Sequence, residues 1–388
     1  ARLSGWLGTL AESHRVLLLD QRGTGRSTPA TVATLTAPGA FATDEARAEH
    51  LVHLRAPSIV RDAEMLRLAL GAGPWTTLGQ SFGGFCTLSY LSFHPEGLQR
   101  SLVTGGLAPL TGHADRVYRA TYARMRARAE EFFDRHPADR DAWSEAVGLI
   151  RAAEAAGAPI PLPGGGPLTV GRAQALGMLL GGNTRVDRLH WVLAEAVDRT
   201  GPAPRLSETF LAAVAEQDDR VVNPLYTVLH EAIYAQPADL AGGRADTGWS
   251  ASRMLAEHPD FDPEATTVPL PTGEHVMPWS VEVDPRLRPL AGTARLLAER
   301  TQWGPLYDVA ALAQNTVPVA AAVYADDVYV DRELSLETAR RVRGLRVWET
   351  DAFHHDGIAD DGPAILDRLL AMTAADGAGT TTAPDPVD

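Results

Sequence analysis

The feature that most constrains the fold is a serine framed by glycines, placed between a predicted strand and a predicted helix. Residues 79–83 read GQSFG; they follow an apolar strand predicted over 75–78 and open a helix predicted to run to about residue 93. A serine in this setting stands on a tight, strained turn, so its neighbours two positions away must lack side chains. Because such a turn lifts the hydroxyl above a sheet, we predict that Ser81 is a nucleophile.

The same turn supplies a hydrogen-bond donor for negative charge. The backbone N–H of Phe82 lies at the start of the predicted helix, where N–H groups have no partner within the helix. Such a group can stabilise an oxyanion, and we predict that Phe82 N–H does so. A chance glycine-serine turn would give the same letters, but the strand-turn-helix context favours the catalytic interpretation.

Strands and helices alternate at both ends of the chain and enclose a long helical stretch. Apolar runs at 15–20, 75–78 and 102–104 predict strands, and the pattern returns with strands at 317–324 and 345–350. This alternation is typical of a parallel sheet with crossover helices, so the predicted fold class is α/β.

The interrupted order predicts a domain made from both chain ends with an insertion between them. We predict core segments over 1–107 and 313–373, a helical cap over 108–312, and a disordered tail over 374–388. Residues 30–55 are predicted to be irregular. The cap would cover the carboxyl edge of the sheet, where ligands bind in open α/β folds. Its predicted helices cover 113–134, 139–156, 172–180, 186–198, 207–216 and 224–235.

A nucleophilic serine needs a base, and the base needs a carboxylate to orient it. In chains with a serine on such a turn, the acid and then the histidine follow later strands. The last two predicted strands lead into Asp326-Asp327 and His354-His355. We predict that Asp327 and His355 act, because Asp327 lies further beyond its strand and His355 precedes an Asp-Gly turn. Asp326 and His354 are the alternatives, otherwise expected in solvent contact or capping.

Two motifs that suggest a cofactor are rejected. Residues 23–27, GTGRS, follow a predicted strand, but Thr28 replaces the third glycine of a dinucleotide loop, and Pro29 prevents the required helix start. The His354-His355 run resembles part of a metal site, yet no second ligand cluster at useful spacing supports it. We therefore expect no cofactor and no metal.

Charge and composition narrow the partners and the location. The chain carries 49 acidic and 35 basic residues, a formal net charge of −14, and no basic block that would suit nucleic acid. No stretch approaches the ~20 apolar residues of a membrane span, so no membrane partner is expected. Cys86 is the only cysteine, which fits a reducing compartment, and we expect a cytoplasmic location.

Two motifs together resemble the proline iminopeptidases (prolyl aminopeptidases), serine peptidases of the α/β-hydrolase fold. Residues 20–29, DQRGTGRSTP, resemble a loop that follows a strand in that family, and residues 79–85, GQSFGGF, resemble its nucleophile elbow. The large helical cap and the closing Asp and His segments are similar too, so the likeness spans about residues 3–372. It implies that peptides with a free amino-terminal proline are cleaved through an acyl-enzyme on Ser81.

The resemblance also implies how the substrate is held. In that family acidic cap residues bind the free amine of the substrate, and a buried carboxylate would fix how far the peptide enters. Glu231, in the predicted helix 224–235, is the best match, with a surface glutamate as the alternative. Tyr118 and Tyr122 are candidates for the wall of the proline pocket, although their helical spacing also suits ordinary packing.

One departure from the family concerns the oxyanion hole. The family carries a His-Gly-Gly-Pro-Gly-like loop before its first helix, and that loop supplies the other N–H donor. The sequence before Leu3 does not encode it, and the first methionine is Met65. We expect either a fragment of a longer protein or an impaired enzyme. The alternatives to the peptidase are an esterase or amidase of the same fold and a non-catalytic binding protein.

Overall fold

The computed structural model describes residues 5–218 and 220–374 of the 388-residue chain. Apart from Ala374, which ends the last helix, the tail expected over 374–388 lies outside the described residues. Among the described residues, no helix has both the length and the apolar character needed to cross a bilayer.

Four parallel strands form the central sheet in the order β1-β2-β5-β6, and a short antiparallel pair, β3-β4, lies in the helical stretch. The register places Gln80 beside Thr104 and Thr104 beside Ala322, so three strands end at one edge of the sheet. The strands are β1 (Trp75–Gln80), β2 (Leu98–Thr104), β3 (Val197–Asp198), β4 (Arg205–Leu206), β5 (Val319–Tyr324) and β6 (Leu345–Thr350).

Helices connect the parallel strands and fill the stretch between β2 and β5. Before β1 lie α1 (Gly5–Ser13), α2 (Val32–Leu35), α3 (Asp44–Val52) and α4 (Ala56–Ala69), and α5 (Phe82–Phe93) joins β1 to β2. Between β2 and β5 lie α6 (Asp115–Arg135), α7 (Pro137–Ala155), α8 (Val170–Gln174), α9 (Arg185–Ala194), α10 (Glu208–Asp218), α11 (Pro224–Val228), α12 (Ser250–Met254), α13 (Trp279–Val283), α14 (Ala291–Ala298) and α15 (Val309–Ala313). The last two are α16 (Arg332–Arg341) and α17 (Gly357–Ala374). Short 3₁₀ helices cover Pro95–Gly97, Ala175–Gly181, Glu231–Ile233, Leu255–Glu257, Pro259–Phe261 and Arg288–Leu290.

Both faces of the sheet are covered. On one face, Leu102 and Ala320 pack with Ile365 and Leu369 of α17. On the other face, the residues that point the opposite way join a large apolar core that continues through α5 into the helical stretch. All six residues of β5 are buried, as expected for a central strand of a parallel sheet.

The strand predicted over 15–20 is wrong. The segment is irregular, and Leu17, Leu18 and Leu19 are 51%, 68% and 46% exposed. A strand is stable when a neighbour satisfies its backbone N–H and C=O groups, and no strand among the described residues pairs with this segment. An apolar run alone therefore did not make a strand here.

Two further local predictions need correction. The stretch expected to be irregular contains α3, whose Thr43 side chain caps the helix by accepting the Ala46 N–H. The helix predicted over 224–235 is split into α11 and the 3₁₀ turn Glu231–Ile233. The Arg55 guanidinium donates to the carbonyls of Ala232 and Ala235, which lie after the break.

Candidate active site

Ser81 stands on a strained turn between β1 and α5. Its backbone has φ 53° and ψ −121°, a left-handed value that non-glycine residues seldom adopt. The Ser81 N–H donates to the carbonyl of Thr104 at 3.0 Å, and the Gly84 N–H donates to the Ser81 carbonyl at 2.8 Å. These bonds tie the turn to the end of β2 and hold the serine at the carboxyl edge of the sheet.

The glycines around the serine have unequal roles. A Cβ atom on Gly79 would collide with the backbone of Gly83, as the turn requires. A Cβ on Gly83 would meet no heavy atom within 4 Å, so the expectation that this position must lack a side chain is wrong. A Cβ on Gly84 would instead collide with the Gly106 carbonyl, because α5 starts directly against the chain that leaves β2.

Asp327 and His355 are joined in the structure. The Nδ1 atom of His355 lies 2.8 Å from Oδ2 of Asp327, and their side chains are 8% and 1% exposed. The other carboxylate oxygen, Oδ1, accepts the N–H groups of Tyr329 at 2.8 Å and Val330 at 2.9 Å. Backbone donors therefore fix the carboxylate, and the carboxylate orients the imidazole.

The alternative residues are placed differently. Nδ1 of His354 lies 3.3 Å from the backbone carbonyl oxygen of Asp326, and no hydrogen bond joins the ring to a carboxylate in the part of the chain that the structure describes. A hydrogen-bonded pair of acid and histidine side chains thus forms at Asp327 and His355 but not at Asp326 and His354.

The histidine loop lies against the serine turn. Gln80, the residue before Ser81, donates from Nε2 to the His355 carbonyl at 2.9 Å. Gly105 has φ +50°, and a Cβ there would lie 3.2 Å from Asp327 Oδ2 and 3.3 Å from His355 Nδ1. Among the described residues, the Ser81 hydroxyl and the His355 ring form no hydrogen bond. Such bonds are often long in free enzymes and tighten when substrate binds.

The helical stretch between β2 and β5 also holds the histidine. The His355 N–H donates to the carbonyl of Gly181 at 3.1 Å, and the Tyr329 hydroxyl donates to the carbonyl of Met178 at 2.7 Å. The Tyr329 ring meets the His355 ring edge to face, with centroids 5.0 Å apart. The 3₁₀ segment Ala175–Gly181 therefore contacts both the acid loop and the histidine loop.

The electrostatics around His355 favour its protonated form. Burial lowers the pKa of His355, but the charge and hydrogen bond of Asp327 raise it, and Glu274 and Asp356 add to this. The net result is a His355 pKa above the usual histidine value. An imidazole of this kind accepts a proton readily, as a general base must.

Phe82 is the first residue of α5, and Ser81 makes no side-chain cap to that helix. Its N–H is one of the donors that a helix start leaves unpaired, and the helix dipole adds positive potential there. The Phe82 ring packs edge to face on Phe85, with centroids 6.1 Å apart. The geometry is compatible with the predicted role of the Phe82 N–H as an oxyanion donor.

Glu231 is a buried residue, which excludes the alternative of a surface glutamate. It is 6% exposed, and Oε1 accepts the N–H of Ala251 at 3.0 Å. Burial raises the pKa of Glu231, although the N–H groups of Ala251 and Ser250 and the side chain of Thr247 favour its charged form. Its second oxygen, Oε2, is buried and has no hydrogen-bond partner among the described residues. A buried oxygen of this kind needs a donor, which a water molecule or a ligand can supply.

Tyr118 is nearly fully buried, and its hydroxyl likewise has no hydrogen-bond partner within the described part of the chain. Burial, followed by the charge of Glu231, raises the Tyr118 pKa well above its usual value. Ring contacts lead from Phe85 of α5 to Tyr234 at 5.5 Å and from Tyr234 to Tyr118 at 6.4 Å. Tyr122, in contrast, uses its hydroxyl in a bond to the Ala251 carbonyl at 3.1 Å.

Sequence reasoning missed Glu274. This half-buried carboxylate accepts the hydroxyl of Tyr226 at 3.0 Å and raises the pKa of both Tyr118 and His355 by its charge. It therefore acts on both the predicted substrate pocket and the predicted base. Residues 271–275, PTGEH, lie in a loop with no periodicity that could have pointed to it.

Comparison with known proteins identifies the family. Residues 4–230 match the alpha/beta hydrolase fold family. The chain is 40% identical over 369 residues to a proline iminopeptidase from Aeromonas sobria, covering 95% of this chain and 82% of that protein. It is 30% identical over 375 residues to proline iminopeptidase aneH from Aspergillus aculeatus, covering 95% of this chain and 80% of that protein. Because these similarities extend over the helical stretch as well as the sheet, the chain belongs to the proline iminopeptidase family of the α/β-hydrolase fold.

Proposed function

We propose that this protein is a serine exopeptidase that releases amino-terminal proline from peptides through an acyl-enzyme on Ser81. The observation that carries the proposal is the buried Oε2 of Glu231, which has no hydrogen-bond partner among the described residues and lies in a helical stretch whose 3₁₀ segment contacts the histidine loop. A buried carboxylate oxygen is costly without a partner, and the ammonium of a peptide amino terminus would supply both charge and hydrogen bonds.

In the proposed reaction, the Ser81 hydroxyl oxygen attacks the carbonyl carbon of the proline while His355 Nε2 takes the hydroxyl proton. Asp327, bonded to Nδ1, holds the ring in the required tautomer and stabilises the imidazolium. The Phe82 N–H donates to the developing oxyanion. The C–N bond then breaks as His355 gives its proton to the leaving amine. Water, deprotonated by His355, releases proline and restores the serine.

Two carboxylates are proposed to recognise the amine. Oε2 of Glu231 would accept a hydrogen bond from the amine. Glu274 adds a negative charge, which raises the pKa of both Tyr118 and His355. Tyr118, whose hydroxyl has no partner among the described residues, is proposed to line the pocket beside them. An amine held in this way limits the depth of entry, so cleavage falls after the first residue.

The test compares arylamides of proline, alanine and N-acetylproline with a p-nitrophenyl ester. The proposal predicts fast release from proline arylamide and at least a hundredfold slower release from the N-acetylated form. Predominant ester turnover without proline release would favour the esterase alternative. Loss of all turnover, together with no labelling by a fluorophosphonate, would favour a non-catalytic binding protein.

We also propose a cytoplasmic location, which rests on the cysteine content alone. Cys86 is the only cysteine of the chain, which fits a reducing compartment. Fractionation of the producing cells checks the proposal, with proline arylamidase activity expected in the cytosolic fraction.

A further inference from the structure

A second cluster of chemically active side chains lies away from the serine turn, at the corner between α6 and α7. His136 lies between these two helices, Asp139 lies in the first turn of α7, and His190 lies on α9. One nitrogen or oxygen atom from each side chain lies within 4.8 Å of the other two. A tetrahedral zinc ion with bonds of ~2.1 Å holds its ligand atoms ~3.4 Å apart, so the side chains would have to rotate to bring these three atoms around one ion.

The carboxylate of this cluster is deeply buried. The Asp139 side chain is 3% exposed, and Oδ2 lies 2.7 Å from Nδ1 of His190. Among the described residues, Asp139 forms its ion pair with His190. A buried carboxylate needs a cation or several donors near it, and one partly exposed imidazole is a modest partner. A cation with a stronger positive charge would therefore stabilise the Asp139 carboxylate further.

The two imidazoles face each other at the mouth of the cluster. Their centroids are 4.4 Å apart and their planes differ by 23°. Because the lone pairs of the ring nitrogens lie in the ring planes, one of these stacked rings must rotate before both can bind the same ion. The side chain of His136 forms no hydrogen bond to another described residue, so a ring nitrogen is free to bind. Both histidines are half-buried, which leaves a path from solvent.

The local sequence explains how the cluster forms. Pro137 begins α7 and fixes the chain direction directly after His136. The Asp139 N–H donates to the His136 carbonyl at 3.0 Å, which holds the acid beside the histidine. His190 follows 51 residues after Asp139, on a helix that packs against α7. This separation is much longer than the ligand spacings of short metal motifs, and these three residues were not predicted as ligands from the sequence.

We propose that His136, Asp139 and His190 form a Zn²⁺ site with two imidazole nitrogens, one carboxylate oxygen and a fourth position for water. This donor set suits zinc, which prefers tetrahedral coordination by nitrogen and oxygen or sulfur ligands. The ion would join the α6–α7 corner to α9. Because none of the three residues belongs to the proposed catalytic machinery, the site stabilises the helical stretch and takes no part in catalysis.

Zinc titration of metal-free protein by calorimetry tests the proposal. The parent protein should bind one equivalent of Zn²⁺ with a micromolar or lower Kd. His136→Gln should weaken this binding at least tenfold, and it leaves the Asp139–His190 contact intact, so the fold is kept. His94→Gln is the matched control, because His94 is another partly exposed histidine beside a carboxylate, Glu96 at 3.7 Å. This variant should bind zinc as the parent does.

A second readout separates the site from adventitious zinc on other histidines. Zinc at a hundred times its Kd should raise the unfolding midpoint of the parent and of His94→Gln but not that of His136→Gln. Equal zinc affinity in the parent and His136→Gln, or no binding by the parent at 100-fold excess zinc, would overturn the proposal.

Discussion

The Nδ1 atom of His355 lies 2.8 Å from Oδ2 of Asp327, and the other oxygen of that carboxylate is held by two backbone N–H groups. The acid can therefore neither rotate freely nor find another partner without losing these bonds. With Nδ1 donating to Asp327, the Nε2 atom of His355 carries the lone pair that a general base requires. This relationship underlies the predictions on activity.

Replacing Asp327 by Asn should reduce kcat for proline arylamide by about 10³–10⁴, because an amide favours the wrong tautomer of the histidine. Steady-state kinetics measures the effect. Asp326→Asn is the matched control, since Asp326 meets the histidine loop through its backbone carbonyl. It should change kcat by less than about threefold. Similar losses in the two variants would contradict the assignment.

The activity should depend on pH in a direction set by His355. Its pKa is raised in the folded protein, so the ring stays protonated, and inactive as a base, to a higher pH than an ordinary histidine. The acidic limb of the kcat/KM profile should therefore lie above about pH 6.5, the usual histidine value, with activity gained as pH rises through it. An acidic limb below that value would show that the carboxylates do not control this group.

Glu231→Gln and Glu274→Gln should affect amine recognition selectively. Glutamine keeps an oxygen that accepts the Ala251 N–H in the first case and the Tyr226 hydroxyl in the second, but it lacks the charge. Losing one partner of a buried charge pair costs about 2–5 kcal/mol, so kcat/KM for proline arylamide should fall at least ~30-fold. Hydrolysis of a p-nitrophenyl ester without an amine is the control and should change little. Equal losses on both substrates would assign these residues a structural role.

Adjacent glycines at the start of α5 should respond oppositely to alanine. Gly84→Ala places a Cβ against the Gly106 carbonyl and should destabilise the protein by about 1–3 kcal/mol. Gly83→Ala meets no heavy atom within 4 Å and should be neutral or stabilise by up to ~1 kcal/mol through helix propensity. Denaturant unfolding of both variants measures the difference. Destabilisation by Gly83→Ala equal to that by Gly84→Ala would contradict the described turn.

Much of the fold was readable because its signals are local. The strand at 345–350 has the predicted bounds, and β1 begins where predicted, at Trp75. The acid and histidine segments were found from the order serine, acid, histidine that such folds share, together with the positions where the last two predicted strands end. The family assignment, made from two short motifs, is confirmed by similarity over 95% of the chain.

The features that were missed depend on contacts between distant segments. Residues 15–20 have the composition of a strand, but a strand also needs a neighbour to pair with. The helix predicted over 224–235 is split in the folded chain, where carbonyls after the break accept from Arg55, more than 170 residues earlier. Glu274 lies in an aperiodic loop, and only the folded chain brings it near Tyr226 and His355.

Covalent labelling by a fluorophosphonate, followed by intact mass and peptide mapping, tests most directly whether His355 activates Ser81. We predict one adduct per chain, on Ser81, no adduct in Ser81→Ala, and labelling slowed at least about a thousandfold in His355→Gln. An adduct on another residue, or undiminished labelling in Ser81→Ala or His355→Gln, would contradict the claim that His355 activates Ser81.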